Sequence, residues 1–317
     1  MTARLLEAVP NFSEGRDTEV VDAIVRAMRG AGAAVLDVSS DADHHRTVVT
    51  AVGRPEAVEE AAVAAVRIAA TRIDLRRHDG VHPRIGAADV VPFVPLWGVT
   101  MAEARSTAHR VGARLAREVG LPVYFYGEAS QPRGRRLDEL RRGGFEAIEG
   151  GWPAGREPDV RPPDWPHPGA HPTAGAVCVG ARPLLLAWNV IVDGVDVADA
   201  AGVARRIRES GGGLPGLRAI ARLLPRRGAV QISMNLEDLD ATPPMEAYRS
   251  LERALGDAGG RIVETEVIGL MPDALAVSGA AARFRLAPGT GDRLLSRRLF
   301  EYVASTTPTA EEPVSLH

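Results

Sequence analysis

The sequence predicts an α/β (α+β) protein built from two related ferredoxin-like βαββαβ subdomains, with facing sheets and helices on the outer sides. Apolar residues make up 45% of the 317 residues, so the chain can form one large core or two ordinary ones. Strand-like runs and amphipathic helical patterns follow one another in the order β-α-β-β-α-β. The same order returns after a segment rich in Gly, Pro and Arg at 131–175, which indicates an internal repeat.

Clear helix-start signals mark the first repeat. Its predicted elements are a strand at 4–9, a helix from Asp17 to Gly30, two strands within 33–53, a helix from Pro55 to about Ile73, a strand at 89–96, a helix from Thr100 to Gly120 and a strand at 122–126. Asp17 and the Thr100/Glu103 pair place side-chain oxygens where the first free N–H groups of a helix need acceptors. Pro55 stands at a first helical position, where its missing N–H group is not needed.

The second repeat follows the loop. Its predicted elements are a strand at 184–192, a helix from Asp196 to Glu209, a hairpin of strands at 217–224 and 229–236, a helix from Thr242 to Gly259 and a strand at 261–270. Periodicity alone also allows a helix at 217–224. The predicted domains are an N-terminal subdomain at 1–175 that includes the 131–175 loop, a C-terminal subdomain at 176–286, and a tail at 287–317 with one helix at about 292–304.

The composition argues against several classes of protein. A net charge of −3 and a pI near 6.3 give no reason to expect nucleic acid or a membrane as a partner. The opening MTARLLEAVPN lacks the pattern of a secretion signal, no apolar run could span a bilayer, and Cys178 is the only cysteine, so we expect a cytoplasmic protein. All 38 basic residues are arginine, which excludes chemistry that needs a Schiff-base or P-loop lysine.

The stretch HDGVHPRIGAADV at 78–90 has the residue types of acid–base chemistry. His78 and His82 are four apart, but the glycine between them and the proline after them argue against a helix that would turn both towards a metal ion. An imidazole suits proton transfer near pH 7, and the Arg84 guanidinium suits a carboxylate. We therefore predict His82 and Arg84 as catalytic residues without a metal. A metal site and an ordinary surface role for the histidines stay open as alternatives.

Two further features indicate binding. Trp165, His167 and His171 stand within 131–175, which is unusual for a plain linker, so we interpret this segment as a binding loop, with a flexible linker as the alternative. Asparagine is rare in the chain, and each remaining one has a strand-like context: Asn11, Asn189 and Asn235. Such placement suggests a task for the amide, although an ordinary turn or strand-end role is equally compatible.

Seven segments, in order along the chain, resemble the glutamate formimidoyltransferase family. They are VPNFSEGRD at 9–17, LDVSSDADHHRTVVTAVGRPE at 36–56, HDGVHPRIGAADVVPFVP at 78–95, YFYGEAS at 124–130, HPTAGAVCVGAR at 171–182, AWNVIV at 187–192 and QISMNLED at 231–238. The resemblance runs from about residue 5 to about residue 275. Each segment alone would be unremarkable, whereas the ordered set is specific.

The resemblance implies a folate-dependent transferase of histidine degradation that moves a formimino group between N-formimino-L-glutamate and N5 of tetrahydrofolate, its co-substrate. It also implies a homodimer, with folate in a groove between the sheets of two α/β subdomains. The family's catalytic histidine falls on His82, as general acid and base. The folate-binding stretch falls on Pro166, His167, Pro168, Gly169, Ala170, His171, Pro172, Thr173, Ala174 and Gly175. The cyclodeaminase that is fused to the domain in animals is expected here on a separate chain.

Two positions near the expected amino-acid pocket depart from the family pattern. Ser39 stands where some members carry an aspartate, with Asp41 and Asp43 close enough to substitute, and His45 stands where an asparagine is expected. The tentative substrate-binding residues are Asn11, Asp41, His45, Arg46 and Asn189. The departures leave two alternatives open. One is a folate-dependent formimino or formyl transferase that acts on glycine or a natural-product amine, and the other is a non-catalytic folate-binding protein.

Overall fold

The computed structural model describes residues 4–271, 283–286 and 293–306, and it confirms a mixed α/β fold with two sheets. The first sheet, within these ranges, contains β1 Leu5–Ala8, β2 Asn11–Phe12, β3 Ala34–Asp41, β4 Arg46–Gly53, β5 Ala88–Trp97, β6 Val123–Gly127 and β7 Val177–Ala181. The second contains β8 Leu186–Asp193, β9 Leu217–Leu224, β10 Ala229–Leu236 and β11 Arg261–Ile268. The described helices are α1 Thr18–Gly30, α2 Pro55–Arg72, α3 Met101–Arg114, α4 Leu137–Leu140, α5 Val197–Ile207, α6 Pro244–Asp257 and α7 Leu295–Thr306. None of them is long and apolar enough to cross a lipid bilayer.

Both sheets contain the same strand arrangement, as the repeat predicts. In the first, β1 and β2 lie between β4 and β5, and β3 pairs with the outer side of β4. In the second, β8 lies between β10 and β11, and β9 pairs with the outer side of β10. Each unit thus has its first strand between its third and fourth, the ferredoxin-like order. The first sheet is extended by β7 and β6, which pair in parallel beyond β5, so it continues past residue 175.

The helix-start signals and the hairpin prediction are confirmed. The Asp17 carboxylate accepts hydrogen bonds from the backbone N–H groups of Glu19 at 2.9 Å and Val20 at 3.3 Å, and Thr100 and Glu103 form a capping box. The ambiguous run at 217–224 is strand β9, with alternate residues buried in its first half. The predicted tail helix corresponds to α7.

The long helices α1, α2, α3, α5 and α6 cover one face of each sheet. In β10, Ile232, Met234 and Leu236 belong to a core shared with α5 and α6, whereas the alternating Gln231 and Ser233 point to the opposite face. In the first sheet, α1, α2 and α3 pack on the face that carries residues such as Val49 and Phe93. The segment after β6 covers part of the other face, because its residues Leu140, Phe145 and Ile148 join the first core.

The helix-free faces are the sides on which the two subdomains meet. The Asp43 carboxylate, in the turn between β3 and β4, accepts hydrogen bonds from the backbone N–H groups of Arg226 at 2.8 Å and Arg227 at 3.3 Å, in the β9–β10 turn. The Gln231 amide of β10 donates to His44 Nε2 at 2.8 Å. The two subdomains therefore meet at a junction lined by polar side chains, with the β3–β4 turn of the first against β10 and the β9–β10 turn of the second.

Helix α7 returns to the first subdomain and covers its edge strand. The Arg298 guanidinium donates to the Leu36 carbonyl at 2.9 Å, and Arg293 Nη1 donates to Ser39 Oγ at 2.6 Å. Leu36 and Ser39 both lie on β3, whose outer edge would otherwise present unpaired backbone groups. The C-terminal helix is thus packed against the edge of the N-terminal sheet.

The buried carboxyl group of Glu7 should make the stability of the folded protein depend on pH. It is 3% exposed and has no hydrogen-bond or ion-pair partner among the described residues, and burial raises its pKa from 4.5 to about 7, an effect that Arg182 partly offsets. Because the folded-state pKa is raised, the stability of the wild type falls as pH increases from 4.5 through 7. Glu7→Gln, which does not titrate, should therefore gain roughly 3 kcal/mol over the wild type between pH 4.5 and pH 8, measured by urea unfolding.

The control is Glu157→Gln, which removes an exposed carboxylate. Its effect on unfolding free energy should be small and nearly constant over the same pH range. A Glu7→Gln effect that is equally constant would contradict a raised pKa in the folded state.

Candidate active site

The loop at 78–87 is held against the turn between β3 and β4. The backbone N–H of Val81 donates to the Asp43 carbonyl at 3.1 Å. Gly80 is required by this packing, since a Cβ atom there would lie 2.3 Å from the His44 carbonyl oxygen. Arg84, in the same loop, is 9% exposed, and its guanidinium pairs with both carboxylate oxygens of Glu146 at 2.8 and 2.9 Å. The structure therefore places the Arg84 guanidinium in an internal ion pair.

His82 is presented as a neutral base. Its Nδ1 lies 2.7 Å from the Pro83 carbonyl, which can only accept, so Nδ1 carries the proton and Nε2 keeps its lone pair. Burial is the main cause that lowers the His82 pKa well below 6.5, and the positive charges of Arg46 and Arg141 lower it further. The ring centroid of His44 lies 5.8 Å away, which connects His82 to Gln231 of the second subdomain.

A buried ionic cluster lies beside His82. The Asp89 carboxylate is 0% exposed; Oδ1 accepts from the Ile85 backbone N–H at 2.9 Å and Oδ2 from Arg46 Nη1 at 2.8 Å. Oδ2 also accepts from Arg141 Nη2. Arg46 Nη2 in turn donates to Asn11 Oδ1 at 2.8 Å. The cluster holds two positive charges and one negative charge, and the two guanidiniums keep the Asp89 pKa below its usual value despite burial.

His45 and Asp41 shape the turn between β3 and β4. His45 has a left-handed backbone with φ of 50°, stacks on His78 at 4.4 Å and places Nε2 3.1 Å from Glu14 Oε1. The His78 ring donates from Nε2 to the His45 carbonyl at 2.8 Å. The Asp41 carboxylate accepts from the His44 backbone N–H at 2.7 Å. Both side chains therefore help to hold the β3–β4 turn in its conformation.

The predicted folate-binding stretch lies next to the His82 loop. The backbone N–H of Ala87 donates to the Ala174 carbonyl at 2.9 Å, and that of Ala176 donates to the Ile85 carbonyl at 2.9 Å. Gly175 has a φ of 70° and a bridge to Gly86, and a Cβ atom at 175 would lie 2.0 Å from the Ile85 carbonyl oxygen. The two segments that the sequence singled out are therefore joined directly.

An aromatic cluster stands at the start of that stretch. The Trp165 and His167 rings lie 4.9 Å apart edge to face, and His171 lies 6.4 Å from each of them. Trp165 Nε1 donates to the Gly169 carbonyl at 2.9 Å, which fixes the indole. The cluster gives the segment a half-buried aromatic surface.

Asn189 lies on the facing sheet rather than in the cluster. It is on β8, opposite Ser233 of β10, on the helix-free face that also carries Gln231. Asn11, Arg46 and the His82 loop belong to the first subdomain, so the predicted site residues come from both sides of the junction. Among the described residues, no group of three His, Cys, Asp or Glu is arranged to hold a metal ion.

Several residues of the site had not been predicted: Asp89, Arg141, His44 and Gln231. Asp89 stands at the start of an apolar strand, and a carboxylate at such a position needs a buried partner, which is a usable signal. Arg141 is one of many arginines in 131–175 and carries no distinguishing local pattern. His44 and Gln231 are 187 residues apart, so their contact depends on the assembled fold.

Comparison with known proteins identifies the family. The family model described as "Formiminotransferase domain, N-terminal subdomain" matches residues 5–182, and "Formiminotransferase domain" matches 187–287. The chain belongs to the formiminotransferase family. The chain is 37% identical over 272 residues to the glutamate formimidoyltransferase of Streptococcus pyogenes serotype M1, covering 85% of this chain and 90% of the relative.

Two other relatives differ from each other in the share of their length that this chain matches. A glutamate formimidoyltransferase of Thermoplasma acidophilum is 36% identical over 304 residues, covering 93% of this chain and 97% of the relative. The formimidoyltransferase-cyclodeaminase of Sus scrofa is 40% identical over 283 residues, covering 85% of this chain but 50% of the relative. The chain therefore matches about half the length of the pig protein.

We predict that Asp89→Asn destabilises the protein by about 3 kcal/mol or more, because it removes the negative charge between two largely buried guanidiniums. The free energy of unfolding in urea measures this loss. The matched control is Asp138→Asn, whose 64% exposed side chain pairs with Arg136 at the surface and should cost less than about 1 kcal/mol. Equal losses in the two variants would mean that the Asp89 cluster is not energetically central.

Proposed function

We propose that this formiminotransferase is a glutamate formimidoyltransferase, which transfers a formimino group between N-formimino-L-glutamate and N5 of tetrahydrofolate in histidine degradation. The observation that carries the proposal is the environment of His82. A neutral imidazole with a free Nε2 stands beside a cationic cluster, on a loop hydrogen-bonded to residues 174–176. The similarity to the two glutamate formimidoyltransferases supports the same activity.

His82 would act as general base and then as general acid. Bound tetrahydrofolate supplies the nucleophilic N5 nitrogen. The Nε2 lone pair of His82 accepts the proton that the attacking amine must lose, and returns it to the departing glutamate nitrogen. Because the Nδ1–H bond to the Pro83 carbonyl fixes the tautomer, the same nitrogen serves both steps. Such proton transfer contributes roughly 10²–10⁴-fold to a rate.

Residues 166–175 would hold the folate. Support comes from the ring cluster of Trp165, His167 and His171, which offers aromatic surface for the pterin or benzoyl ring. His171 Nδ1 accepts from the backbone N–H groups of Thr173 at 3.3 Å and Ala174 at 3.1 Å, so its Nε2 carries a proton that can be donated. Neither role requires a metal.

The internal contacts suggest different roles for the other predicted residues. Arg84 would position the His82 loop through Glu146 rather than bind substrate, and Arg46 would act through Asp89. Asp41 and His45 would hold the turn, and Asn11 and Asn189 would line opposite sides of the junction. We keep as predictions a cytoplasmic homodimer, a cyclodeaminase on a separate chain, and domain boundaries at 175 and 286, although strand β7 at Val177–Ala181 pairs within the first sheet.

We predict that His82→Ala lowers kcat by roughly 10²–10⁴-fold, because the proton acceptor is lost. Turnover of N-formimino-L-glutamate with tetrahydrofolate is followed by the absorbance of the methenyl form produced in acid. In the wild type, kcat/KM should stay level as pH falls to 6.5 and decline only below it, because the lowered pKa keeps His82 neutral there.

The control is His109→Ala, since His109 packs on Phe125 with ring centroids 4.3 Å apart, outside the site. It should leave kcat and the pH profile near wild type. A His82→Ala enzyme that binds tetrahydrofolate and keeps full turnover would exclude His82 as the base. A wild type that binds tetrahydrofolate without any turnover would favour the folate-binding alternative, and turnover only with another formimino donor would favour the other-amine alternative.

We predict that His45→Asn keeps the donor preference and nearly full activity. The φ of 50° at this position is one that asparagine adopts readily, so the expected family residue fits the same backbone. His45→Val should instead destabilise the protein by about 1–2 kcal/mol, because a β-branched residue is strained there. Kinetics with N-formimino-L-glutamate and N-formiminoglycine as donors test the first statement, and urea unfolding tests the second. A switch of donor in His45→Asn would show that this side chain reaches the substrate.

A further inference from the structure

We propose that Arg141 binds the α-carboxylate of the donor amino acid; the identity of this donor rests on the proposed function. Two of the three arginines around His82 have internal partners that balance their charge or use all their nitrogens. Arg84 forms a two-point ion pair with Glu146, although its buried Nε has no partner among the described residues, and Arg46 uses its three guanidinium nitrogens on Asp89 and Asn11. Arg141 bonds Asp89 through Nη2, whereas its buried Nε has no hydrogen-bond partner among the described residues, and its charge shares the single carboxylate of Asp89 with Arg46.

The charges around Arg141 leave a positive excess. Asp89 supplies one negative charge for the guanidiniums of Arg46 and Arg141. Cys178 and Tyr126 also face Arg141, but burial raises both of their pKa values, so both groups are uncharged at neutral pH. The remaining cation is costly in a buried setting unless an anion pairs with it. The net positive charge of the cluster therefore favours the binding of a negatively charged ligand group.

The fold fixes Arg141 in place for such a role. Arg141 follows the short helix α4, and its backbone N–H donates to the Leu137 carbonyl at 2.9 Å. The preceding Leu140 is 4% exposed and belongs to the first core. The main chain of Arg141 is thus held in place, and its guanidinium is fixed at Nη2. Such a side chain loses little conformational freedom when a ligand binds, which favours a bidentate contact with a carboxylate.

The position beside His82 selects the α-carboxylate. Asp89 joins Arg141 to the His82 loop, because it accepts hydrogen bonds from Arg141 Nη2 and from the backbone N–H of Ile85, three residues after His82. In an N-formimino amino acid the α-carboxylate is attached to the carbon that bears the reacting nitrogen, whereas the γ-carboxylate of glutamate is two methylenes farther away. A carboxylate held next to the proton-transfer atom is therefore the α-carboxylate. This contact would recognise any N-formimino-α-amino acid, and other residues would select the side chain.

The test compares Arg141→Gln with Arg142→Gln, a neighbouring exposed arginine that is not part of the cluster. Each variant and the wild type are assayed with N-formimino-L-glutamate and with its α-carboxamide and γ-carboxamide analogues. In the wild type, the α-carboxamide should lose roughly 10- to 100-fold in kcat/KM, the effect of a lost charged hydrogen-bonded pair. Arg141→Gln should show a similar loss with the normal donor and no further loss with the α-carboxamide. Arg142→Gln should behave as the wild type.

Two results would overturn the proposal: unchanged discrimination against the α-carboxamide in Arg141→Gln, or a loss confined to the KM for tetrahydrofolate. Arg141→Lys keeps the charge without the fork, so it should fold normally and bind the donor with intermediate affinity. Thermal unfolding of each variant shows whether the fold is retained.

A binding measurement separates this proposal from the proposed function. Calorimetry with L-glutamate and L-isoglutamine, which lacks the α-carboxylate charge, needs no turnover. Binding of L-glutamate by the wild type that is lost in Arg141→Gln supports the carboxylate site even if formimino transfer is absent. Equal affinity of both proteins for L-glutamate, or equal affinity of the wild type for the two ligands, would exclude it.

Discussion

The buried carboxylate of Asp89 is the interaction on which the site depends. It lies at the start of β5 and joins Arg46 of β4, Arg141 of the segment after β6 and the backbone of Ile85 in the His82 loop. Asp89 is 43 residues from Arg46 and 52 residues from Arg141 in the sequence, so one side chain fixes the relative positions of distant elements. A carboxylate that bonds two guanidiniums and a backbone N–H stabilises only in this arrangement, because its removal would leave two buried positive charges and a buried N–H without their acceptor.

The backbone around His82 is equally constrained. Gly80 allows the loop to approach the His44 carbonyl, and Gly175 allows the neighbouring segment to approach Ile85. His45 adopts a left-handed conformation, in which asparagine is the residue most easily accommodated after glycine. The departure from the asparagine that the resemblance predicts at this position is therefore explained by a conformational role, without assigning another substrate. The ring of His45 has also gained contacts with Glu14 and His78 that an asparagine could not reproduce in full.

The predictable part of the protein is the part determined locally. Helix starts at Asp17 and Thr100 follow from capping chemistry, and the strand order follows from the repeated pattern of elements. Proton chemistry at His82 could be proposed from residue types alone, and it stays a prediction that the geometry supports. Arg84 was expected to meet a carboxylate, and the one found in the structure is Glu146, 62 residues away. No local pattern specifies such a pair, which is also why Arg141 was not distinguished from its neighbours.

The cationic cluster links substrate binding to proton transfer. In the free protein the charges of Arg46 and Arg141 disfavour a protonated His82, which keeps Nε2 available as an acceptor. A carboxylate bound at Arg141 would cancel part of that positive potential and raise the His82 pKa. The imidazole would then accept a proton more readily once the donor is in place, and the same charge that attracts the substrate would hold the base unprotonated until it arrives. Binding and acid–base strength would thus be set by one group of charges, and that group is centred on Asp89.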